Sequence, residues 1–372
     1  MMGWSLVAAL CISMTSPGVT IPGNDRARQE QVFQRYWGTE FVWRYDDLPQ
    51  EGGVAEERIP YSGDIYLDRQ GGTLNVMRLY DRAFHGGRML ATAHEQWDID
   101  VYKQPANPRL AQIFRRRSPR MEIPNWHGHC NGWAAAAIRH AEPERSVRRN
   151  GVVFTPADIK GLLAELYMYN DVVDLSGSSQ NIQAGLLHAV VANWIGRGSH
   201  GLGLEADPGP EKWNYPAYAF ESTTVRRSPN SVDVRMILRY AKDSQGEYQR
   251  SPRIERQKHF FYRLNLNSRG EIVGGTFHRN SERIDMLWIP LHPKASGQPG
   301  NERGNPHLDV DKILAIWRES VPEETRRTWL IVDPSPQDAV PDAVPDTLAG
   351  QSLIPVQITG GISPRMARAA AP

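Results

Sequence analysis

Hydrophobic and polar positions sort the chain into three stretches. From about Gly23 to Pro119 the sequence is rich in Arg, Trp and acidic residues, and its periodicity is weak. Asn24–Tyr45 nevertheless predicts one helix, and Arg82–Tyr102 another with Gly86-Gly87 near its start. From Glu122 to about Trp329 the signals are stronger. Trp133–Ala137 is a strongly helix-forming run that Ile138 continues to His140, and Gly128 allows a tight turn ahead of it. Leu186–Ile195 is rich in β-branched and aromatic residues, bounded by Gly185 and Gly196, and reads as a strand. On it His188, Val190, Ala192 and Trp194 would share one face. His200–Asp207 alternates Leu202, Leu204 and Ala206 with Gly203, Glu205 and Asp207, which suits a return strand. Asp309–Trp317 has apolar positions at the spacing of an amphipathic surface helix. Beyond Asp333 a Pro-spaced acidic repeat predicts a disordered tail. The domain organisation expected is a signal-like segment over 1–20, a cleft-forming region over 23–119, a catalytic domain over 120–332 and the tail over 333–372.

Composition narrows the class. At 372 residues the chain can bury a sizeable core without disulfides or a structural metal. A formal net charge of +1 speaks against a nucleic-acid surface built on net charge and against a polybasic membrane anchor. No apolar run approaches about 18 residues, so no transmembrane segment is expected. A monomer is the default expectation. Only Cys11 and Cys130 exist, which excludes a disulfide framework. The apolar stretch Trp4–Ile12 has the length of a signal-peptide core without the basic start or a clear cleavage site, and it points to a secreted or periplasmic protein.

Cys130 carries the chemistry. In Pro124–Ile138, PNWHGHCNGWAAAAI, it falls at or just before the first turn of the predicted helix. Unpaired N–H groups and the positive dipole end there favour a thiolate, as papain-like and transglutaminase-like enzymes present their nucleophile. The alternative is a small buried hydrophobe, but Gly128, Asn131 and Gly132 are poor core neighbours. His127, His129 and Cys130 offer three metal ligands in four residues. No fourth follows at finger-like spacing, so no metal and no cofactor is expected.

The base is sought among eleven histidines. With Arg197-Gly198 as a hairpin turn, His188 falls opposite Asp207, Cβ atoms about 5 Å apart. That predicts a Cys130–His188–Asp207 triad with Asp207 raising the His188 pKa. His259 or His278, with Asp285 as acidic partner, is the second assignment. Asn125 and Trp126 are the candidate side-chain donors for an oxyanion, beside the Cys130 N–H.

Trp126-His-Gly-His-Cys130-Asn-Gly-Trp-Ala resembles the nucleophile motif of the transglutaminase elicitor family of oomycetes and bacteria. Further segments are similar in order and spacing: Thr155-Pro-Ala-Asp158 opening the next helix, Leu187-His188 through Gly196 and then Asp207, Lys212-Trp213-Asn214-Tyr215-Pro216, and Gly274-Gly275 through Pro290. Tyr215 and Ala217 stand where glutamine and valine are expected, and Arg283-Ile284-Asp285 where His-Pro-Asp is expected. The resemblance implies an α+β fold of papain-like kind, its Cys helix packed on an antiparallel sheet bearing His and Asp. It also implies the same triad and a calcium-independent acyltransferase of the protein-glutamine γ-glutamyltransferase type. A Cys thioester with a glutamine side chain would be passed to a primary amine. The rival readings are a thiol peptidase or amidase with the same triad, and a non-catalytic elicitor-like binding protein.

Overall fold

The computed structural model describes residues 19–101, 123–178 and 181–329. The signal-like segment and the Pro-rich tail lie outside these residues. In chain order the helices are α1 (Gly23–Trp37), α2 (Leu74–Phe84), α3 (Leu90–Val101), α4 (Cys130–Arg139), α5 (Pro156–Tyr167), α6 (Ala184–Val191), α7 (Val310–Ser320) and α8 (Glu323–Thr328). The strands are β1 (Val19–Thr20), β2 (Glu51–Gly53), β3 (Val147–Arg149), β4 (Val152–Phe154), β5 (Val172–Asp174), β6 (Leu202–Glu205), β7 (Asn214–Ser228), β8 (Ser231–Ala241), β9 (Glu255–Leu266), β10 (Ile272–Phe277) and β11 (Met286–Pro290). One antiparallel sheet runs β1-β10-β9-β8-β7-β6-β11-β5, with β2 added along β7. β3 and β4 form a separate hairpin.

The sheet changes character along its width, and the sequence dictates where. β8 and β9 alternate: Val232, Val234, Met236 and Leu238, and Phe260, Tyr262, Leu264 and Leu266, are buried while the residues between them are less so. This is the pattern of a sheet covered on one face. β6, β11 and the first five residues of β7 are buried at every position. There both faces are covered, and α4 packs against all three strands.

α4 and α5 form as their sequences predict. Thr155 caps α5 by accepting from the Asp158 N–H while Asp158 accepts from the Thr155 N–H, with Pro156 in the first turn. All ten residues of α4 are buried, so its small side chains bring neighbouring backbones close. A Cβ on Gly132 would lie 2.0 Å from the Ala164 carbonyl oxygen of α5.

Three expectations are corrected. The helix expected over Arg82–Tyr102 divides into α2 and α3, because Gly86 and Gly87 adopt φ of 63° and 81° between them. The helix expected over Asn24–Tyr45 stops at Trp37, where Gly38 adopts a left-handed conformation. The strand expected over Leu186–Ile195 is the helix α6, extended by a wider π-type turn over Ala192–Arg197. Its apolar residues are buried all round, which a central helix satisfies as well as a central strand does. Gly185 is no strand boundary: its missing side chain lets α6 rest on the backbone of Gly274 in β10, where a Cβ would meet the carbonyl carbon at 2.6 Å. The His188–Asp207 hairpin therefore does not form. β6 pairs instead with β7 and β11.

Gly132→Ala should destabilise the fold by about 1–3 kcal/mol, because the new methyl meets backbone that cannot turn aside. Gly161→Ala should cost less, since its Cβ would meet Val76 Cγ1 at 3.1 Å and a side chain can yield. Urea unfolding midpoints of the two variants check this, and equal midpoints would contradict the contact.

Candidate active site

Cys130 is the first residue of α4, 4% exposed. Its thiol reaches the Lys212 carbonyl at 3.5 Å, and its sulfur accepts from the Asn214 backbone N–H at 3.5 Å and from Asn214 Nδ2 at 3.7 Å. Burial pushes the thiol pKa up, the two Asn214 donors pull it down, and the Glu205 charge adds to the rise. The low-pKa thiolate expected from the helix start is thus corrected: desolvation outweighs the N-terminal N–H groups.

Asn214 opens β7 directly opposite Glu205 of β6. Trp288 Nε1 donates to Asn214 Oδ1 at 3.0 Å, which fixes the amide with Nδ2 toward the sulfur. Trp288 itself lies over Gly203, its cross-strand partner, where a Cβ would stand 2.0 Å from the indole. A missing side chain on β6, an indole on β11 and an amide on β7 therefore set the donor that faces the thiol.

Lys212 bridges Glu205 at 2.8 Å and Asp285 at 2.6 Å. Burial raises the Glu205 pKa to about 7, although the Lys212 ammonium pulls it down. An open cavity of about 440 Å³ is lined by Asp64, Asp207, Trp213, Tyr215, Lys242 and Asp243 among others; Trp213 and Tyr215 flank Asn214, the residue that faces the thiol.

Behind Cys130, His129 lies in a buried acidic cluster. Its Nε2 is 3.5 Å from Glu95 Oε1 and 3.8 Å from Asp68 Oδ1, and its Nδ1 is 3.3 Å from Glu165 Oε2. Burial disfavours the imidazolium, but the three carboxylates outweigh it and hold the His129 pKa up to about 10.

The structure brings Cys130 to neither of the other expected triad members. His188 Nδ1 lies 2.7 Å from the Tyr262 hydroxyl on β9, and its ring tilts against Tyr45. Tyr262 is in register with Val234 of β8 and so with Thr224 of β7. Thr224 lies about 30 Å along the strand from Asn214. His188 therefore sits toward the opposite end of the sheet, and burial lowers its pKa to about 4, the reverse of the rise expected from Asp207. Asp207 lies at the cavity mouth, its side chain 60% exposed and 3.9 Å from Lys258. His259 pairs across the ladder with Ile237, and His278 faces Asp233 at 3.8 Å. Asp285 does reach the site, through Lys212. Asn125 is exposed and Trp126 stacks its edge on His127. The donor that faces the sulfur is Asn214, and sequence reasoning gave it no chemical role. Its signal was the Lys212-Trp213-Asn214 segment, read only as part of a resemblance.

The family model named Transglutaminase elicitor matches residues 111–179, which include Cys130 and the capped α5. The chain is also similar in structure to the GP42 transglutaminase from Phytophthora sojae. The TM-score is 0.63 at 20% identity, over 81% of this chain and 99% of that one. No curated protein matches. In fold the chain is similar to that transglutaminase, and its match to the family model is confined to the segment around Cys130.

Glu205 makes stability depend on pH in a defined direction. Its pKa of about 7 in the fold exceeds the ordinary value of 4.5, so the native state keeps a proton that the unfolded chain releases between these limits. Stability should fall as pH rises through this window and level off above it. Glu205→Gln removes that slope, and should gain about 1–3 kcal/mol on wild type at pH 8 relative to pH 4.5. Urea unfolding of both proteins at the two pH values measures it, and parallel profiles would contradict the buried carboxyl.

Proposed function

We propose that the chain is a protein-glutamine γ-glutamyltransferase whose nucleophile is Cys130. The observation that carries this reading is a helix-initial thiol faced by the two N–H donors of Asn214. The sulfur attacks the γ-carboxamide carbon of a glutamine side chain, and the thiol proton passes to the Glu205 carboxylate. Asn214 Nδ2 and the Cys130 N–H, free at the first turn of α4, hold the tetrahedral oxyanion. The carbon–nitrogen bond breaks as Glu205 returns the proton to the departing ammonia, leaving a thioester. A primary amine attacks the thioester carbonyl and loses a proton to Glu205. The thiolate leaves and takes that proton back, and the product is an isopeptide bond. Glu205 suits the proton-carrying role because its pKa of about 7 lies near a neutral working pH. Lys212 holds the carboxylate in place and shares Asp285.

Asp207 has a different part from the one its position in the sequence suggested. With Asp64 and Asp243 it gives the cavity three carboxyl groups against the one ammonium of Lys242, a wall suited to draw in a protonated lysine ε-amine. His188, clasped by Tyr262, is assigned to the core.

Two experiments test these roles. Cys130→Ala should abolish incorporation of a fluorescent amine into a glutamine peptide, and intact-mass spectrometry of wild type should find the acyl adduct on Cys130. Incorporation by the alanine variant would end the reading, and peptide hydrolysis without amine incorporation would turn it toward an amidase. Asp207→Asn should raise KM for a cationic amine several-fold while leaving thioester formation unchanged. Slowed thioester formation would instead restore Asp207 to the catalytic machinery.

A further inference from the structure

The cluster behind the nucleophile is over-supplied with acid. Asp68, Glu95 and Glu165 are all buried, and among the described residues the one side chain that ion-pairs with them is His129. Thr73 supplies two neutral donors, its N–H to Glu95 Oε1 at 3.0 Å and its hydroxyl to Glu165 Oε2 at 2.7 Å. Three carboxyl groups around one imidazole are costly to bury unless protons or a further cation offset them. Among the described residues, two polar atoms aimed into the cluster make no hydrogen bond and only longer ionic contacts: Asp68 Oδ1, 3.8 Å from His129 Nε2, and His129 Nδ1, 3.3 Å from Glu165 Oε2, in residues 6% and 2% exposed. Asp68 Oδ1 and Glu95 Oε1 also flank Gly72, where a Cβ would come within 3.6 Å and 2.4 Å of them. Any side chain there would intrude on the space between the acids.

Glu95, His129 and Glu165 each offer one ligand atom, all within 4.8 Å of one another. The ring nitrogens of His129 point in different directions, so one of two contacts can be an edge about the ion, 3.5 Å from Nε2 to Glu95 or 3.3 Å from Nδ1 to Glu165; either is near a tetrahedral edge of about 3.4 Å for bonds of about 2.1 Å. We propose that this cluster is a binding site for one first-row divalent cation, Zn²⁺ or Mn²⁺, held by one ring nitrogen of His129 and an oxygen each of Glu95 and Glu165. The other ring nitrogen donates its N–H to a carboxylate oxygen of the cluster that does not bind the ion, an arrangement that fixes the ring. A neutral imidazole with carboxylates selects such an ion, whereas Ca²⁺ and Mg²⁺ take oxygen ligands. The ion would tie α3, α5 and the turn before Cys130 to one point. It stands apart from the acyl-transfer reading, which needs no metal.

The test uses the full chain, stripped with a chelator and then titrated with Zn²⁺ or Mn²⁺ alone. Bound metal is counted by elemental mass spectrometry and Tm is followed in parallel. About one equivalent should bind and Tm should rise with metal concentration. Glu95→Gln and Glu165→Gln, folded by circular dichroism, should each lose affinity by about ten-fold or more. His129→Asn should abolish binding if it folds, and the two Gln variants decide the matter if it does not. A folded wild-type chain that takes up no stoichiometric metal would overturn the site and leave a metal-free ionic cluster. Gln variants that bind as wild type would overturn it equally, by placing the metal elsewhere.

Discussion

The burial of helix α4 is the constraint on which the rest depends. Its ten residues have no solvent face, so everything they carry, the thiol included, must be satisfied by neighbours. Small side chains make this feasible. Gly132 admits the α5 backbone, and the alanines that follow admit β6, β7 and β11. A helix so enclosed holds Cys130 in one place, at the cost of a desolvated sulfur. That cost explains why donors facing the sulfur matter more here than the helix dipole. A dipole end is worth about 0.3–2 kcal/mol, comparable to a single directed hydrogen bond, and burial opposes both.

Charge around the helix is arranged by the same logic. On the sheet side Lys212 neutralises Glu205 and Asp285 only in part, leaving one carboxyl to titrate near neutrality. A pair fully offset would be more stable and chemically inert. The surplus acid at Glu205 is therefore a liability to the fold, of the kind that suits the proton transfer proposed for it. On the helix side the surplus lies around His129, one residue before the thiol. The two clusters grip consecutive residues from opposite sides, so the thiol position is fixed by α3 and α5 as much as by the sheet.

What was legible in the sequence follows from the range of the interactions involved. The start of α4 and the cap of α5 rest on neighbours three or four residues apart, and the residues that make them can be read directly. The all-buried run around His188 is different. Leu186-Leu187-His188-Ala189-Val190-Val191 suits either a central strand or a central helix, and the contact that decides it is Gly185 against Gly274, far apart in the chain. Mistaking that element moved His188 to a strand beside Asp207, whereas its hydrogen bond to Tyr262 places it toward the other end of the sheet. Asn214 was missed for the same reason. Its role exists only because Gly203, Trp288 and Cys130 converge on it from three elements. Ladder register brings the first two together, and no local pattern announces it.

The segment that covers the thiol differs in kind from the walls that hold it. Behind Cys130 stand two helices, and beside it a strand pair locked by Trp288. Over it runs the connection from β6 to β7, Asp207-Pro-Gly-Pro-Glu-Lys-Trp213, most of which is exposed. This connection touches the thiol through the Lys212 carbonyl and is anchored by the Lys212 ion pairs, by Asp207 on Lys258, by the packing of Trp213 on the core and by the backbone bond from Ala206 N–H to the Trp213 carbonyl. A connection with so little apolar burial lies at the low end of local stability, while the helix beneath it shares the stability of the core. The sulfur is therefore held by core on two sides and by a less buried connection on the third.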